Sequence, residues 1–434
     1  MWNLVPVALL GIVGLGMSFA IALWWGAAAF AVFNLVTTAY FVFAVIGACG
    51  LQYAVLRAIA EQPDDRDRVA AVVAGALVPG LALAAAATAG FIAIHPLVAR
   101  WLASPAAGEG MLWAAPGLFC FAINKLLFGV VNGLRRMRAF AVYTSLRYLL
   151  LAAALAIAVR CDLAPAHLPA IWTFTEAILL AVLTVELLAT VPLRRATGWT
   201  TWTRRHLTYG VRGVAATLAY EINTKLDVWM LGVLTADKYA VGVYALAAAL
   251  HEGVTQLAVV LQNNLDPTLA HLAAPAAPAT PATAIASAPD RRPRTHAPTG
   301  HPAELLALIA RTRRWFVPAM VGACIASAAM FPAVIPRLVG DPGFATGTLP
   351  FAILMTGIAL ASPYLPFGHL LLMAQRPGWH TVLIVTAVAI NALGNLILVP
   401  RLGLTGAATA MAATVVATAL LLRGLSRHQL GIRL

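Results

Sequence analysis

The chain has 434 residues, of which 61% are apolar and only 10% are charged, and its mean hydropathy is +0.86. A soluble domain ordinarily carries about 25% charged residues. The composition therefore excludes a soluble globular protein and indicates an integral membrane protein. The net charge is +13, but the basic residues lie in short runs between long apolar segments. We interpret them as topology signals rather than as a surface for nucleic acid.

Twelve segments have the length of about 20 mostly apolar residues that is needed to cross a bilayer. They lie at 4–24, 29–56, 69–94, 111–133, 139–160, 168–191, 209–233, 239–263, 315–335, 349–373, 379–399 and 404–423. The joins 24–29, 233–239 and 399–404 are very short, so we expect the spans that flank them to be antiparallel hairpins. The first span lacks a basic leader and a cleavage site, and we expect it to be retained.

The cysteines give no sign of a metal or redox site. Cys49, Cys120, Cys161 and Cys324 are scattered, without a CxxC pair or a Cys/His cluster, and we expect them to be packing residues. No cofactor and no metal are predicted.

The basic loops predict the orientation, since loops rich in Lys and Arg stay in the cytoplasm. If the amino terminus is inside, most of the 29 basic residues lie in cytoplasmic loops and in the carboxy-terminal tail. The opposite side holds only Arg100, Arg160, Lys238, Arg337 and Arg401. We predict an even number of spans with both termini in the cytoplasm.

The order of spans and loops predicts two halves. Residues 1–192 form an N-terminal six-helix bundle, 193–208 a cytoplasmic linker and 209–434 a C-terminal six-helix bundle. Within the second half, residues 273–302 are rich in Pro, Ala and Thr and predict a disordered cytoplasmic loop. Transporters built from two such halves bind substrate between them, so the predicted fold is an all-α polytopic membrane protein with a central cavity.

Span seven carries an unusual group of charges in the stretch YEINTKLDVWM, 220–230. Each charge at a helix centre costs about 2.5–3.5 kcal/mol on insertion, whereas a Leu or Ile contributes only about 0.3–0.6 kcal/mol. This helix therefore cannot face lipid on all sides. Glu221 and Lys225 have the i, i+4 spacing of an ion pair, while Asp227 lies about 120° further round the helix.

Ionisable residues also occur elsewhere in the predicted spans. They are Lys125, Arg147, Glu176, Glu186, Arg212, His251 and Glu252. Either they form structural ion pairs inside the bundles or they line an aqueous cavity. Fixed cations suit an anionic phosphate or diphosphate group, and buried carboxylates can carry a coupling proton.

We divide these residues into two candidate sets. The substrate-binding candidates are Lys125, Arg147, Arg212 and Lys225. The ion-coupling candidates are Glu221, Asp227, Glu252, His251 and Glu176.

Three stretches resemble one known family of transporters. Residues 47–61, GACGLQYAVLRAIAE, are similar to its helix 2 exit, and residues 226–250 to its helix 7–8 hairpin. Asp266 and Pro267 follow where helix 8 of such proteins ends. Residues 391–414, NALGNLILVPRLGLTGAATAMAAT, carry the most specific pattern, an Asn-containing helix, a Pro and Gly turn and a small-residue helix start. The chain resembles the polysaccharide flippases of the multidrug/oligosaccharidyl-lipid/polysaccharide exporter superfamily.

This resemblance implies alternating access in the bacterial inner membrane and the export of an undecaprenyl-diphosphate-linked oligosaccharide toward the periplasm. The protein would be a transporter rather than an enzyme, coupled to protons or sodium. Its partners would be the lipid-linked oligosaccharide, membrane lipids, and the polymerase and glycosyltransferases of lipopolysaccharide or exopolysaccharide synthesis.

Two alternatives remain at the level of sequence. A multidrug or cation exporter of the same superfamily would favour an acidic cavity, which the basic residues in spans four, five and seven argue against. A membrane-embedded polymerase or glycosyltransferase would require a large extracytoplasmic loop or an acidic catalytic pair, and the predicted periplasmic loops are short.

Overall fold

The computed structural model describes residues 4–273, 302–432 and 434, and within them the regular secondary structure is helical. Fourteen α-helices are connected by turns and short 3-10 segments. Their bounds are α1 Leu4–Ala48, α2 Leu51–Glu61, α3 Arg66–Ala93, α4 His95–Trp101, α5 Pro105–Gly133, α6 Met137–Arg160, α7 Ala170–Thr190, α8 Trp199–Leu234, α9 Lys238–Ala273, α10 Pro302–Val339, α11 Thr348–Ala361, α12 Leu370–Met373, α13 Pro377–Leu402 and α14 Leu404–Leu430.

The helices confirm an all-α polytopic membrane protein. Among the described residues, ten helices are long and apolar enough to cross a membrane. Helix α1 counts as one of them although it contains two helical parts, and α8, which carries the charges of span seven, is not among them. Counting both parts of α1 and adding α8 gives the twelve spans that the sequence predicts. At the ends of the predicted loop 273–302, Ala273 closes α9 and Pro302 begins α10; the residues between them lie outside the described part of the chain.

Two helix boundaries depend on backbone conformations that favour glycine. Gly26 has φ 82° and ψ 172° and separates the two parts of α1, within the predicted join 24–29. Further on, Cys49 and Gly50 have φ of 44° and 69° and end α1 before α2 begins. The sequence predicts one uninterrupted span over 29–56, but this left-handed turn divides it.

Proline breaks the predicted span 349–373. Helix α11 ends at Ala361, and Pro363 and Pro366 follow it before α12 begins at Leu370. Proline cannot donate the backbone hydrogen bond that a continuing helix requires. Conversely, the join 399–404 reduces to Gly403 alone, which has φ 55° between α13 and α14.

Side chains cap the amino-terminal ends of two membrane helices in the N-terminal unit. The Asp65 carboxylate accepts a hydrogen bond from the Arg68 backbone N–H at 3.0 Å and caps α3. At α5, the Ser104 hydroxyl accepts from the Ala107 N–H at 3.3 Å. Each cap satisfies a backbone donor that the helix itself leaves unpaired.

The chain forms two compact units. The N-terminal unit comprises Met1–Ala249 with Pro336–Phe344, and the C-terminal unit comprises Leu250–Ile335 with Ala345–Leu434. Helix α8 packs against α1, α2 and α3, which is why it belongs to the N-terminal unit. The division into 1–192 and 209–434 follows the order of spans along the chain and stays a prediction.

Two asparagines of the C-terminal unit are buried on α13, which packs closely against α14. Asn391 and Asn395 on α13 are both fully buried, and the Asn395 amide donates to the Asn391 side-chain oxygen at 2.7 Å. Gly406 on α14 lies so close to Leu398 that a Cβ would overlap its backbone carbonyl. The motif 391–414 thus encodes a tight α13–α14 pair.

Glycines also allow close helix packing in the N-terminal unit. A Cβ on Gly242 of α9 would overlap the backbone carbonyl of Ala27 in α1, and a Cβ on Gly117 of α5 would lie 2.7 Å from the Thr173 backbone nitrogen in α7. Small residues at helix contacts are typical of membrane bundles, because they let backbones approach one another.

We expect Gly242→Ala to lower the free energy of unfolding by about 1–3 kcal/mol, since the new methyl group would force α9 away from Ala27. Thermal unfolding of the purified protein in detergent measures the effect. Gly322→Ala is the matched control, because a Cβ at Gly322 meets nothing within 4 Å. Equal melting temperatures for the two variants would contradict the close contact at Gly242.

Candidate functional site

A cavity of about 300 Å³ lies within the N-terminal unit and is lined by two of the predicted substrate-binding residues, Lys125 of α5 and Arg147 of α6. We call it the basic cavity. Uncharged polar side chains share its wall with them: Gln52, Asn132, Thr144 and Thr217. Two of the predicted substrate-binding residues thus share one cavity inside the N-terminal unit, and the central cavity between the two halves stays a prediction.

Glycines position the wall of the basic cavity. A Cβ on Gly129 of α5 would lie 2.5 Å from the Gln52 carbonyl oxygen, and a Cβ on Gly210 of α8 would overlap the Cys49 carbonyl. Only residues without a Cβ allow α5 to approach the first turn of α2, and α8 to approach the turn at Cys49 and Gly50, this closely. Gln52 therefore shares the wall of the basic cavity with Lys125 and Arg147.

Arg147 is held by a buried carboxylate. Its guanidinium Nη2 donates to Glu176 Oε2 at 2.9 Å, and the Asn124 amide donates to the same oxygen at 2.8 Å. Glu176 is fully buried, whereas the Arg147 side chain is 16% exposed. Taking an ion out of water costs several kcal/mol, and these two hydrogen bonds offset part of that cost for Glu176.

Aromatic rings contact both cations of the basic cavity. The Arg147 guanidinium lies 4.8 Å from the centroid of Phe121 and 5.2 Å from that of Phe128. The Lys125 ammonium lies 5.0 Å from the Phe121 centroid. A ring face attracts a cation without neutralising it, so Phe121 stabilises both charges while leaving them available to an anion.

Lys125 interacts electrostatically with two acids, Glu221 of α8 and Glu176 of α7, and is repelled by Arg147. Lys125 and Arg147 thus lie within electrostatic range of carboxylates of the same unit. Protonation of one of these carboxylates, or its pairing with a small cation, would make the surroundings of the two cations more positive. An oxyanion could then bind to the guanidinium and the ammonium.

Asp227 has a different environment from the polar arc that the helical wheel predicts. The Tyr244 hydroxyl of α9 donates to Asp227 Oδ2 at 2.5 Å. Tyr244 is 0% exposed and Asp227 is 2% exposed. Asp227 is thus enclosed by helix packing and does not line the basic cavity.

Lys225 lies beside another cavity of the N-terminal unit. This space of about 180 Å³ is almost entirely apolar and includes Phe43, Ile222 and Trp229 in its wall. The Trp229 indole donates to the Leu35 carbonyl at 3.1 Å, which fixes this part of α8 against α1. Lys225 thus lines this apolar space, whereas Lys125 and Arg147 line the basic cavity.

Two further candidates belong to the C-terminal unit, where His251 is buried and Glu252 is exposed. The Arg212 side chain lies outside the described part of the chain. Glu186 bonds with Arg136 and with the Tyr143 hydroxyl, which agrees with a structural role near a helix end.

Sequence reasoning missed three residues that shape the cluster and the Asp227 pair: Asn124, Phe121 and Tyr244. Asn124 had a detectable signal, since a fully buried amide directly before Lys125 needs a hydrogen-bond partner. Phe121 carried none, because aromatic residues are common in apolar spans. Tyr244 belongs to the stretch 226–250 that resembles the family's hairpin, but that resemblance did not predict its bond with Asp227.

One family model matches residues 4–271, and its description is polysaccharide biosynthesis protein. The chain belongs to this polysaccharide biosynthesis family. The matched range contains α1 to α9 up to His271, and with them the whole lining of the basic cavity.

Solved structures give this member of the polysaccharide biosynthesis family the fold of flippases and transporters. The lipid II flippase MurJ in an inward closed conformation superposes with a TM-score of 0.74 at 11% identity, covering 98% of this chain and 87% of that one. An inward-facing multidrug resistance MATE family transporter of the MOP superfamily gives 0.72 at 13% identity, covering 98% of both chains. A MOP superfamily transporter from Pyrococcus furiosus gives 0.57 at 14% identity, covering 98% and 93%. No curated protein matches the sequence.

We expect Glu176→Gln to destabilise the protein by about 3–5 kcal/mol, because it removes the charge that compensates the partly buried Arg147. The double variant Glu176→Gln with Arg147→Gln should recover part of this loss. Thermal unfolding of the two single variants and the double variant, treated as a double-mutant cycle, gives the coupling energy. Strictly additive effects would contradict an energetic coupling between the two side chains.

Proposed function

We propose that the protein is a flippase that moves an undecaprenyl-diphosphate-linked oligosaccharide from the cytoplasmic to the periplasmic leaflet by alternating access. One observation carries the proposal. Lys125 and Arg147 line the same cavity, and each interacts with a carboxylate of the same unit. A diphosphate offers several oxyanion acceptors, which the planar guanidinium binds in pairs and the ammonium binds as a point charge.

Charge exchange within the cluster provides a route for ion coupling. In the paired state, Glu176 and Glu221 compensate the two cations and keep them hydrated or hydrogen-bonded inside the unit. A proton or a sodium ion on the carboxylates would make the cluster more positive and raise its affinity for diphosphate. Loss of that ion would restore the internal pairs and release the head group.

The site favours an anionic cargo over the alternatives. A multidrug resistance MATE family transporter is similar in fold over 98% of this chain, but Lys125 and Arg147 would repel a cationic drug. A polymerase or glycosyltransferase would require a catalytic site near the sugar donor, whereas the charged cluster is built inside helices α5, α6, α7 and α8.

We further propose that the protein lies in the bacterial inner membrane with both termini in the cytoplasm, following its basic loops. It would act beside the glycosyltransferases that build the lipid-linked unit and the polymerase that consumes it. The oligosaccharide would join a lipopolysaccharide or an exopolysaccharide.

We expect cells that lack the protein to accumulate lipid-linked oligosaccharide on the cytoplasmic leaflet. In those cells we expect Lys125→Gln to restore at most about a tenth of wild-type export, since the substitution removes a charge contact worth about 1.5–3 kcal/mol. Leaflet-resolved analysis of the lipid-linked sugars measures both. Arg160→Gln, which neutralises an exposed arginine at the end of α6, is the control. Normal export by Lys125→Gln would remove this residue from the site, and a normal leaflet distribution in the deletion strain would refute the flippase.

A separate expectation concerns the buried carboxylate of α8. Asp227→Asn should make transport less sensitive to pH and sodium, because the amide can still bond with Tyr244 but cannot bind a proton or compensate a cation. Transport in vesicles with imposed pH or sodium gradients measures this response. The exposed Asp162 supplies the control Asp162→Asn, and an ion response unchanged by Asp227→Asn would exclude Asp227 from coupling.

A further inference from the structure

A second cationic cluster occurs at the end of the N-terminal unit where α2 ends and α3 and α8 begin. There the Trp202 ring has the Arg68 guanidinium 5.4 Å and the Arg205 guanidinium 5.0 Å from its centroid. The Arg57 guanidinium lies 5.9 Å from the centroid of Tyr209. A cavity of about 250 Å³ is bounded by all five side chains. We call it the arginine cleft.

The arginine cleft has an excess of positive charge. Glu61 is its acidic lining residue, bonded to Arg68 at 2.7 Å and lying 3.6 Å from Arg57. His206 also lines the cleft, but burial lowers the pKa of its ring below that of an ordinary histidine, so it is uncharged at pH 7. Three arginines against one carboxylate leave room for an anionic ligand.

The packing of the guanidiniums indicates which kind of anion would fit. The Trp202 ring is contacted by two guanidiniums and by the His206 ring, whose centroid lies 5.7 Å away with an interplanar angle of 26°. These contacts leave little of the indole face for stacking on a sugar. A guanidinium that packs its plane on a ring presents its N–H edge outward, where it matches the oxygens of a phosphate.

Hydrogen-bond donors of the arginine cleft are also accessible to a ligand. The Arg68 guanidinium already donates to Gln62, to Glu61 and to the Ala58 carbonyl, so the donors open to a ligand belong to Arg57 and Arg205. Arg205 is exposed, and the Arg57 side chain is 67% exposed. Next to the cleft, Arg204 and three threonines of α8 border a wider open space. An incoming phosphate therefore meets several donors without having to break a helix contact.

The position of the cleft suits a ligand that sits in a membrane. Its residues come from the last turns of α2, the first turn of α3 and the first three turns of α8, the level at which membrane helices reach lipid phosphates. Helix α2 also contributes Gln52 and Leu56 to the basic cavity, so the two sites share one helix. We propose that the arginine cleft binds the phosphate of a lipid head group, from either an anionic phospholipid or a polyprenyl diphosphate.

Equilibrium binding to the purified full-length protein in nanodiscs tests this site without requiring transport. The probes are short-chain phosphatidylglycerol, undecaprenyl diphosphate and inorganic phosphate, with phosphatidylcholine as the neutral reference. The test variant is Arg57→Gln with Arg205→Gln. Arg100→Gln with Arg160→Gln is the control, since it removes the same charge from exposed arginines at the ends of α4 and α6.

We expect the test variant to bind at least one of the two lipids about tenfold or more weakly, as loss of charge-assisted hydrogen bonds predicts, and the control to bind both like the wild type. A loss confined to phosphatidylglycerol identifies a phospholipid site, and a loss confined to undecaprenyl diphosphate identifies an entry site for substrate. A loss that also extends to inorganic phosphate supports the phosphate itself as the recognised group.

Unchanged affinity for both lipids would overturn the proposal and leave the cluster as an interfacial anchor. An equal loss in the control would likewise overturn it, since only net charge would then matter. If the glutamine variant fails to fold, Arg57→Lys with Arg205→Lys keeps the charge without the planar fork, and we expect intermediate affinity. Because only binding is measured, a chain that binds lipid but does not flip it would refute the proposed function and not this site.

Discussion

The structure of the N-terminal unit depends on keeping ionised side chains stable between membrane helices. Glu176 is fully buried and would be prohibitively costly as an isolated carboxylate, but Arg147 and Asn124 both donate to its Oε2 atom. The ion pair joins α6 to α7, and the amide joins both to α5. Three helices are thus held together by one carboxylate oxygen, next to the space in which an anion could bind.

Glycine packing sets the distances between α2, α5 and α8 at the basic cavity. The first turn of α2 lies against Gly129 of α5, and the Cys49–Gly50 turn before it lies against Gly210 of α8. A Cβ at either glycine would collide with a backbone carbonyl. Such contacts contribute little energy individually, but they determine where Gln52 lies relative to Lys125. The polar wall of the basic cavity is therefore a result of backbone proximity as much as of charge.

The two cationic clusters differ in how their charges are compensated. In the basic cavity each cation has a carboxylate nearby, so its affinity for an anion can change with the ionisation of that carboxylate. In the arginine cleft, Glu61 faces Arg57 and Arg68 while Arg205 packs on Trp202. Three arginines against one carboxylate keep this cleft positively charged at neutral pH. A compensated site suits a binding step that must be reversed, whereas a permanently cationic one suits capture at the membrane surface.

The sequence by itself determined that the chain crosses the membrane many times, where most of its helices lie, and that charges are buried within them, because hydropathy and helical periodicity are local properties. It also led to the family through short patterns of Gly, Asn and Pro. It could not determine which charges meet. Arg147 and Glu176 are 29 residues apart, Asn124 and Glu176 are 52 apart, and the helical wheel that placed Asp227 on a water-facing arc contained no information about Tyr244 on the next helix. Only the tertiary structure decided these partners, because pairing between helices depends on packing distances that close backbone contacts impose, such as that of Gly117 of α5 with Thr173 of α7.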